Sequence, residues 1–281
     1  MTYLQKIGTD RARITRLTAA GTTNRLGANI IVPAQPAALP PLLVLHGISR
    51  NASELTGLFR SEAESCGRMV IVPHFDAANW RFFQRPGRAA RPDHALLALL
   101  SAVALEHPQF AGPVSLFGHS GGAQLAHRFA MLYPQKVADL HLAAAGWYCL
   151  PDRSMAWPCG LAESGDSRDD IWLRRSRAGL TAFLDRTFHI YVGSRDTDRD
   201  KTLRQTPELD RIQGRTRLAR ARLYAATLEQ AAQAAGLRPR VALHELAGCG
   251  HDVAWAIRHA GLARRVCANA AAEIPPVKIT A

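Results

Sequence analysis

Nothing in the 281-residue sequence is long and apolar enough to cross a bilayer as a helix, which excludes a helical membrane protein and leaves no membrane partner to expect. The opening MTYLQKIGTDRAR holds no apolar stretch of signal-peptide length, so the expectation is a soluble cytoplasmic protein. Cysteine is sparse: five residues, at 66, 149, 159, 249 and 267, an odd count without C-x-x-C spacing. That pattern excludes a disulfide framework and a zinc site, so no metal is expected and the thiols are read as free, although Cys149 and Cys159 could meet within a loop. Lysine is scarce too. The net charge of +12 comes almost wholly from arginines, and these are scattered rather than gathered into a patch, so nucleic acid is not an expected partner. Attraction of acidic small molecules stays open. Aromatics make up only 7%, and there is no internal repeat or low-complexity tract.

What the chain has is core material, 47% hydrophobic, at a length that α/β folds commonly use for one domain, here 1–281. Residues 1–27 read as an irregular or β-type entry. Short apolar runs at Ala28–Val32, Leu42–Leu45, Met69–Val72 (closed by Pro73), Val114–Phe117, Val137–Ala145, His189–Val192 and Val241–Leu246 read as strands. Between them lie helical patterns: Ser53 to about Cys66, Ala95–Leu105 with Asp93 as its N-cap, the segment from Gly121 to Tyr133, 218–236 stopped by Gly236, and 253–270. Four prolines in 33–41 mark a loop, and Pro275-Pro276 a loose tail. Strands alternating with helices imply a mostly parallel central sheet with helices on both faces, an α/β fold. One stretch interrupts the alternation. Residues 149–186 are charged and irregular, and they read as a small lid insertion at a strand's carboxyl end.

Chemistry concentrates where strands end. Val114–Phe117 runs into Gly118-His119-Ser120-Gly121-Gly122, a G-x-S-x-G pentapeptide between a strand and a helix. A turn that sharp leaves no room for side chains two positions either side of the serine, hence glycine there. In open α/β sheets ligands bind beyond the carboxyl ends of the strands. Three other such ends carry His46-Gly47-Ile48, Gly193-Ser194-Arg195-Asp196 and Gly248-Cys249-Gly250-His251. A serine hydroxyl is a weak nucleophile until a base takes its proton, and that base needs an acid to fix its tautomer. Ser120, Asp196 and His251 fall in the order of nucleophile, acid and base, with Asp198 the alternative acid. Two N–H donors for an oxyanion would come from Gly121 and Ile48. The other strand-end histidines, His46, His119, His189 and His244, read as packing or loop-fixing groups, and Cys249 lacks an elbow.

Taken together, Leu45-His46-Gly47, Gly118-His119-Ser120-Gly121-Gly122, Gly193-x-x-Asp196 and Gly250-His251 resemble the α/β-hydrolase superfamily over about residues 28–270. Ala145-Gly146-Trp147-Tyr148, Trp157-Pro158 and Asp196-Thr197-Asp198 look like its poly(3-hydroxybutyrate) depolymerase-like and feruloyl-esterase-like branch. The resemblance implies a serine hydrolase without a cofactor, acting on small-molecule carboxylic esters through an acyl-enzyme. The same fold also hosts amidases, thioesterases and non-catalytic binding proteins. Trp147, Tyr148, Trp157 and Trp172, clustered in or beside the insertion, lead us to expect an apolar or aromatic acyl pocket.

Overall fold

Residues 12–19, 24–85, 90–165 and 170–268 are described by a computed structural model. The apolar runs become strands: β1 (Arg13–Ala19), β2 (Leu26–Val32), β3 (Leu42–Leu45), β4 (Val70–His74), β5 (Val114–His119), β6 (Val137–Ala143), β7 (Thr187–Gly193) and β8 (Val241–Leu246). They form one sheet in the order β1-β2-β4-β3-β5-β6-β7-β8. The pairs β1·β2 and β2·β4 are antiparallel, and all the others parallel. Because successive side chains leave a strand on opposite faces, β2 to β8 each feed two cores. Leu43, Leu45, Ile71, Leu116, Leu140, Leu142 and Ile190 join one, with helices α2 (Pro92–Glu106), α3 (Gly121–Leu132) and α7 (Arg217–Ala234). Leu42, Val44, Val70, Val72, Phe117 and Tyr191 join the other, under α1 (Ala52–Cys66), α8 (Val253–Ala260) and α9 (Leu262–Cys267).

The structure departs from the sequence reading in four places that matter. β4 runs through Pro73 to His74, because β3 pairs only with Val70 and Ile71, so no strand on that side needs an N–H from position 73. α2 starts at Pro92, which suits a first helical turn, and Asp93 is not its cap. The buried Asp93 carboxylate instead accepts from Arg91 Nε and Nη2 at 2.9 and 2.7 Å and from the Tyr133 hydroxyl at 2.8 Å. The last helical segment breaks in two at Gly261, whose φ of 64° ends α8. Finally, 149–186 is not irregular throughout its described part. α4 (Asp170–Ala178) and α5 (Leu180–Leu184) are the crossover that two parallel neighbours, β6 and β7, require, and Leu173, Phe183 and Leu184 are buried in the main core.

Histidines line the sheet interior. His141 and His189 stack with centroids 4.9 Å apart, His189 Nδ1 lies 3.2 Å from His244 Nε2, and Asp139 Oδ1 faces His141 Nε2 at 3.0 Å. Burial pushes His244 and His46 down to about 4 and His189 to about 3. In the unfolded chain these imidazoles take up protons near pH 6.5. Between there and pH 4 the unfolded state therefore binds more protons than the folded one, and stability falls as pH falls. The expected result is a melting temperature that is level above pH 7 and drops continuously from pH 6.5 to 4 by scanning calorimetry. A flat profile across that window would contradict the burial of these rings.

Candidate active site

The turn from β5 into α3 is built by exclusion. Ser120 holds φ 53° and ψ −113°, a conformation that costs a non-glycine residue about 1–3 kcal/mol. The Ser120 N–H donates to Ala143 O on β6 at 2.8 Å, which holds the turn against the neighbouring strand. A Cβ on Gly118 would collide with the Gly122 carbonyl, and one on Gly122 with the carbonyls of Leu45 and His46. Glycine at both positions lets β5, α3 and the loop after β3 close on the serine.

That loop carries Gly47 and Ile48 across Ser120. A Cβ on Gly47 would stand 3.5 Å from Ser120 Cβ, and the Ile48 side chain lies against Gly121. His46 fixes the loop: its Nδ1–H donates to Gly47 O at 2.8 Å, and its Nε2 accepts from Phe75 N at 3.0 Å. Gly121 opens α3, so its N–H has no intrahelical acceptor. Arg50, at φ 58°, donates to the carbonyls of Phe75, Asp76, Trp80 and Arg81 and binds the loop after β4 to the loop after β3. No sequence signal marked Arg50.

Two further loops bring the other groups. Gly193 ends β7 directly under the Cys249 and Gly250 carbonyls, where any Cβ would collide. Arg195 N donates to Cys249 O at 2.8 Å, and Gly248 N to Ser194 Oγ at 3.0 Å, so the loops after β7 and β8 are stitched together. On them His251 Nδ1 stands 2.8 Å from Asp196 Oδ2, and His251 Nε2 stands 3.1 Å from Ser120 Oγ. Asp196 is buried at 1% exposure, whereas Asp198, two residues on, is exposed and has no bond to His251 among the described residues. The His119 ring stacks on His251 at 4.9 Å, and burial drives its pKa well down, so it meets the imidazole uncharged. With Asp196 accepting from Nδ1–H, the histidine presents an unprotonated Nε2 to the serine, the arrangement needed to take a proton from it.

Ser120, His119 and His251 open on a cleft of about 450 Å³, walled by Ile48, Ser49, Asn51, Glu54, Thr202 and Arg258 among others. None of the four aromatics expected at the pocket lines it. Trp147 is buried, with the Arg128 and Arg204 guanidiniums 4.1 and 5.0 Å from its ring. Tyr148 is buried and stacks on Tyr224 at 4.0 Å, while Gln213, the last residue of α6 (Pro207–Gln213), takes up both its backbone N–H and its carbonyl. Trp157 and Trp172 line a separate apolar crevice with Phe83, Leu125 and Phe129, of about 20 Å³, room for about one water and not for an acyl chain. Their apolar area is spent on packing. Cys149 and Cys159 are free.

No family model and no curated protein matches the chain. Solved structures do. Poly(aspartic acid) hydrolase-1 from Sphingomonas sp. KT-1 is 23% identical over 89% of this chain and 97% of that one, with a TM-score of 0.71. A poly(3-hydroxybutyrate) depolymerase from Bordetella parapertussis is 25% identical over 90% and 94%, at 0.66. An S-formylglutathione hydrolase from Agrobacterium tumefaciens is 17% identical over 95% and 96%, at 0.54. With the eight-stranded, mostly parallel sheet and its helical layers, these likenesses establish that the chain has the α/β-hydrolase fold.

Proposed function

We propose that the chain is a serine hydrolase of carboxylic esters working through an acyl-enzyme. The observation that carries this reading is the unbroken line from Ser120 Oγ through His251 to a buried Asp196, at 3.1 and 2.8 Å, facing an open cleft. Ser120 Oγ adds to the ester carbonyl carbon while its proton moves to His251 Nε2. The N–H groups of Gly121 and Ile48 receive the oxyanion. Collapse expels the alcohol with the proton from His251, and water repeats the sequence to release the acid. The esterases and hydrolases of similar structure support hydrolysis as the reaction class. The cleft walls, with Ser49, Asn51 and Thr202 among them, favour a short acyl group bearing hydroxyls, of hydroxyalkanoate type, over a long alkyl chain.

A second reading is amide cleavage, favoured by the likeness to the poly(aspartic acid) hydrolase and by the +12 charge. A fluorophosphonate probe followed by peptide mapping tests the nucleophile, and p-nitrophenyl esters of rising chain length beside matched amides and thioesters test the bond. Labelling at Ser120, with acetyl and 3-hydroxybutyryl esters turned over faster than octanoyl ones, is the expected result. Label elsewhere, or none, overturns the assignment; faster amide turnover replaces ester by amide.

A further inference from the structure

The acid of the proposed relay is not alone with its histidine. Arg217 opens α7 and is 1% exposed, and its Nη1 lies 3.4 Å from Asp196 Oδ1, the oxygen on the far side from His251. The same guanidinium is held more tightly elsewhere. Nη1 donates to Asp200 Oδ2 at 2.8 Å, and Nη2 to Asp200 Oδ1 at 3.3 Å and Thr202 Oγ1 at 2.7 Å. Asp200 Oδ1 also accepts from the backbone N–H groups of Thr202 and Leu203 at 2.6 and 3.2 Å, closing a tight turn. Thr202, at the apex of that turn, forms part of the cleft wall beside Ser120.

Two carboxylates therefore share one buried cation, in the order Asp196, Arg217, Asp200. A carboxylate as buried as Asp196 calls for more than one hydrogen-bond donor. An arginine bound to it alone, however, would neutralise the charge that has to stabilise the imidazolium. Asp200 balances the guanidinium, and the hydrogen bond from Arg217 holds the Asp200 carboxyl well below its ordinary range. Among the described residues, the other ionisable groups around Asp196 and His251 are His119, stacked on the imidazole, the Tyr148 hydroxyl, the Cys249 thiol and Asp252, with Glu54 and Arg258 further along the wall of the same cleft. Arg217 is the cation among them that bonds the acid.

We propose that Arg217 is a positioning residue which, balanced by Asp200, sets how strongly Asp196 supports His251 and ties that setting to the Asp200–Thr202 wall of the cleft. The proposal rests on the hydrolase reading for its role in turnover, but the coupling itself is a property of the folded chain. Asp200→Asn leaves the cation facing Asp196 unopposed, and Arg217→Met removes it.

The experiment follows the His251 ring signal by NMR against pH in the full chain, beside the pH profile of kcat/KM for p-nitrophenyl acetate. In Asp200→Asn the midpoint of the His251 titration and the acid limb of kcat/KM move together to lower pH, by about half a unit or more. In Arg217→Met both move to higher pH, and Arg217→Lys lies between that variant and wild type. Should Arg217→Met fail to fold, the change at the half-buried Asp200 decides alone. Midpoints within about 0.2 units of wild type in a folded Asp200→Asn protein overturn the coupling. Shifted NMR midpoints in the variants, with a wild-type chain that neither labels with fluorophosphonate nor turns over esters, would sink the hydrolase reading and keep the coupling.

Discussion

Ser120→Ala leaves the melting temperature unchanged and lowers kcat for p-nitrophenyl acetate by about 10⁴- to 10⁶-fold, because members of such a relay act as a unit. The stability half of this result follows from the backbone. Ser120 sits at φ 53° because Gly118 and Gly122 let the chain turn there, and alanine meets the same strain as serine. Ser120 Oγ has its contact with His251 Nε2, and its removal deletes the atom that would attack while the imidazole remains stacked on His119. Steady-state kinetics with scanning calorimetry on the same preparation checks both halves. A variant keeping a tenth of the activity would place the nucleophile elsewhere.

Asp196→Asn lowers kcat by about 10⁴-fold, since an amide at that position lets the imidazole take the wrong tautomer. Asp198→Asn changes kcat by less than about threefold, because Asp198 is exposed and bonds neither His251 nor Arg217 among the described residues. The pair is informative as a contrast, measured at one pH on one substrate. If the two outcomes were exchanged, the acid would lie at 198 and the loop after β7 would have to rearrange in solution.

The parts of the site that sequence made legible are those with a steric or chemical signature. Glycine two residues either side of Ser120, strand runs before each loop, and the order serine, aspartate, histidine are such signatures. The fold brings Ser120 Oγ and Asp196 Oδ2 to 3.1 and 2.8 Å from the two ring nitrogens of His251, and sets the Ile48 side chain against Gly121. The tryptophans misled because an aromatic cluster reads the same whether it lines a pocket or fills a core; only the crossover from β6 to β7 decides where Trp157 and Trp172 lie. Arg217 and Arg50 were invisible for another reason. Their partners lie on separate loops that only tertiary folding brings together, and a chain rich in scattered arginine gives no ground for singling out two.

The sheet order has a consequence for the birth of the protein. Ser120 leaves β5 in the middle of the sheet, yet His251 arrives on the loop after β8, which among the described residues is an outer strand paired with β7, and the Cys249–Gly250 backbone must close over Gly193 before the imidazole can reach the serine. Synthesis proceeds from the other end, and domains consolidate as their strands emerge. A nascent chain can therefore build its central strands and its elbow on the ribosome while remaining chemically silent. On the proposed reading, Ser120 meets its base only when β8 docks against β7, so a product truncated before that strand would lack His251.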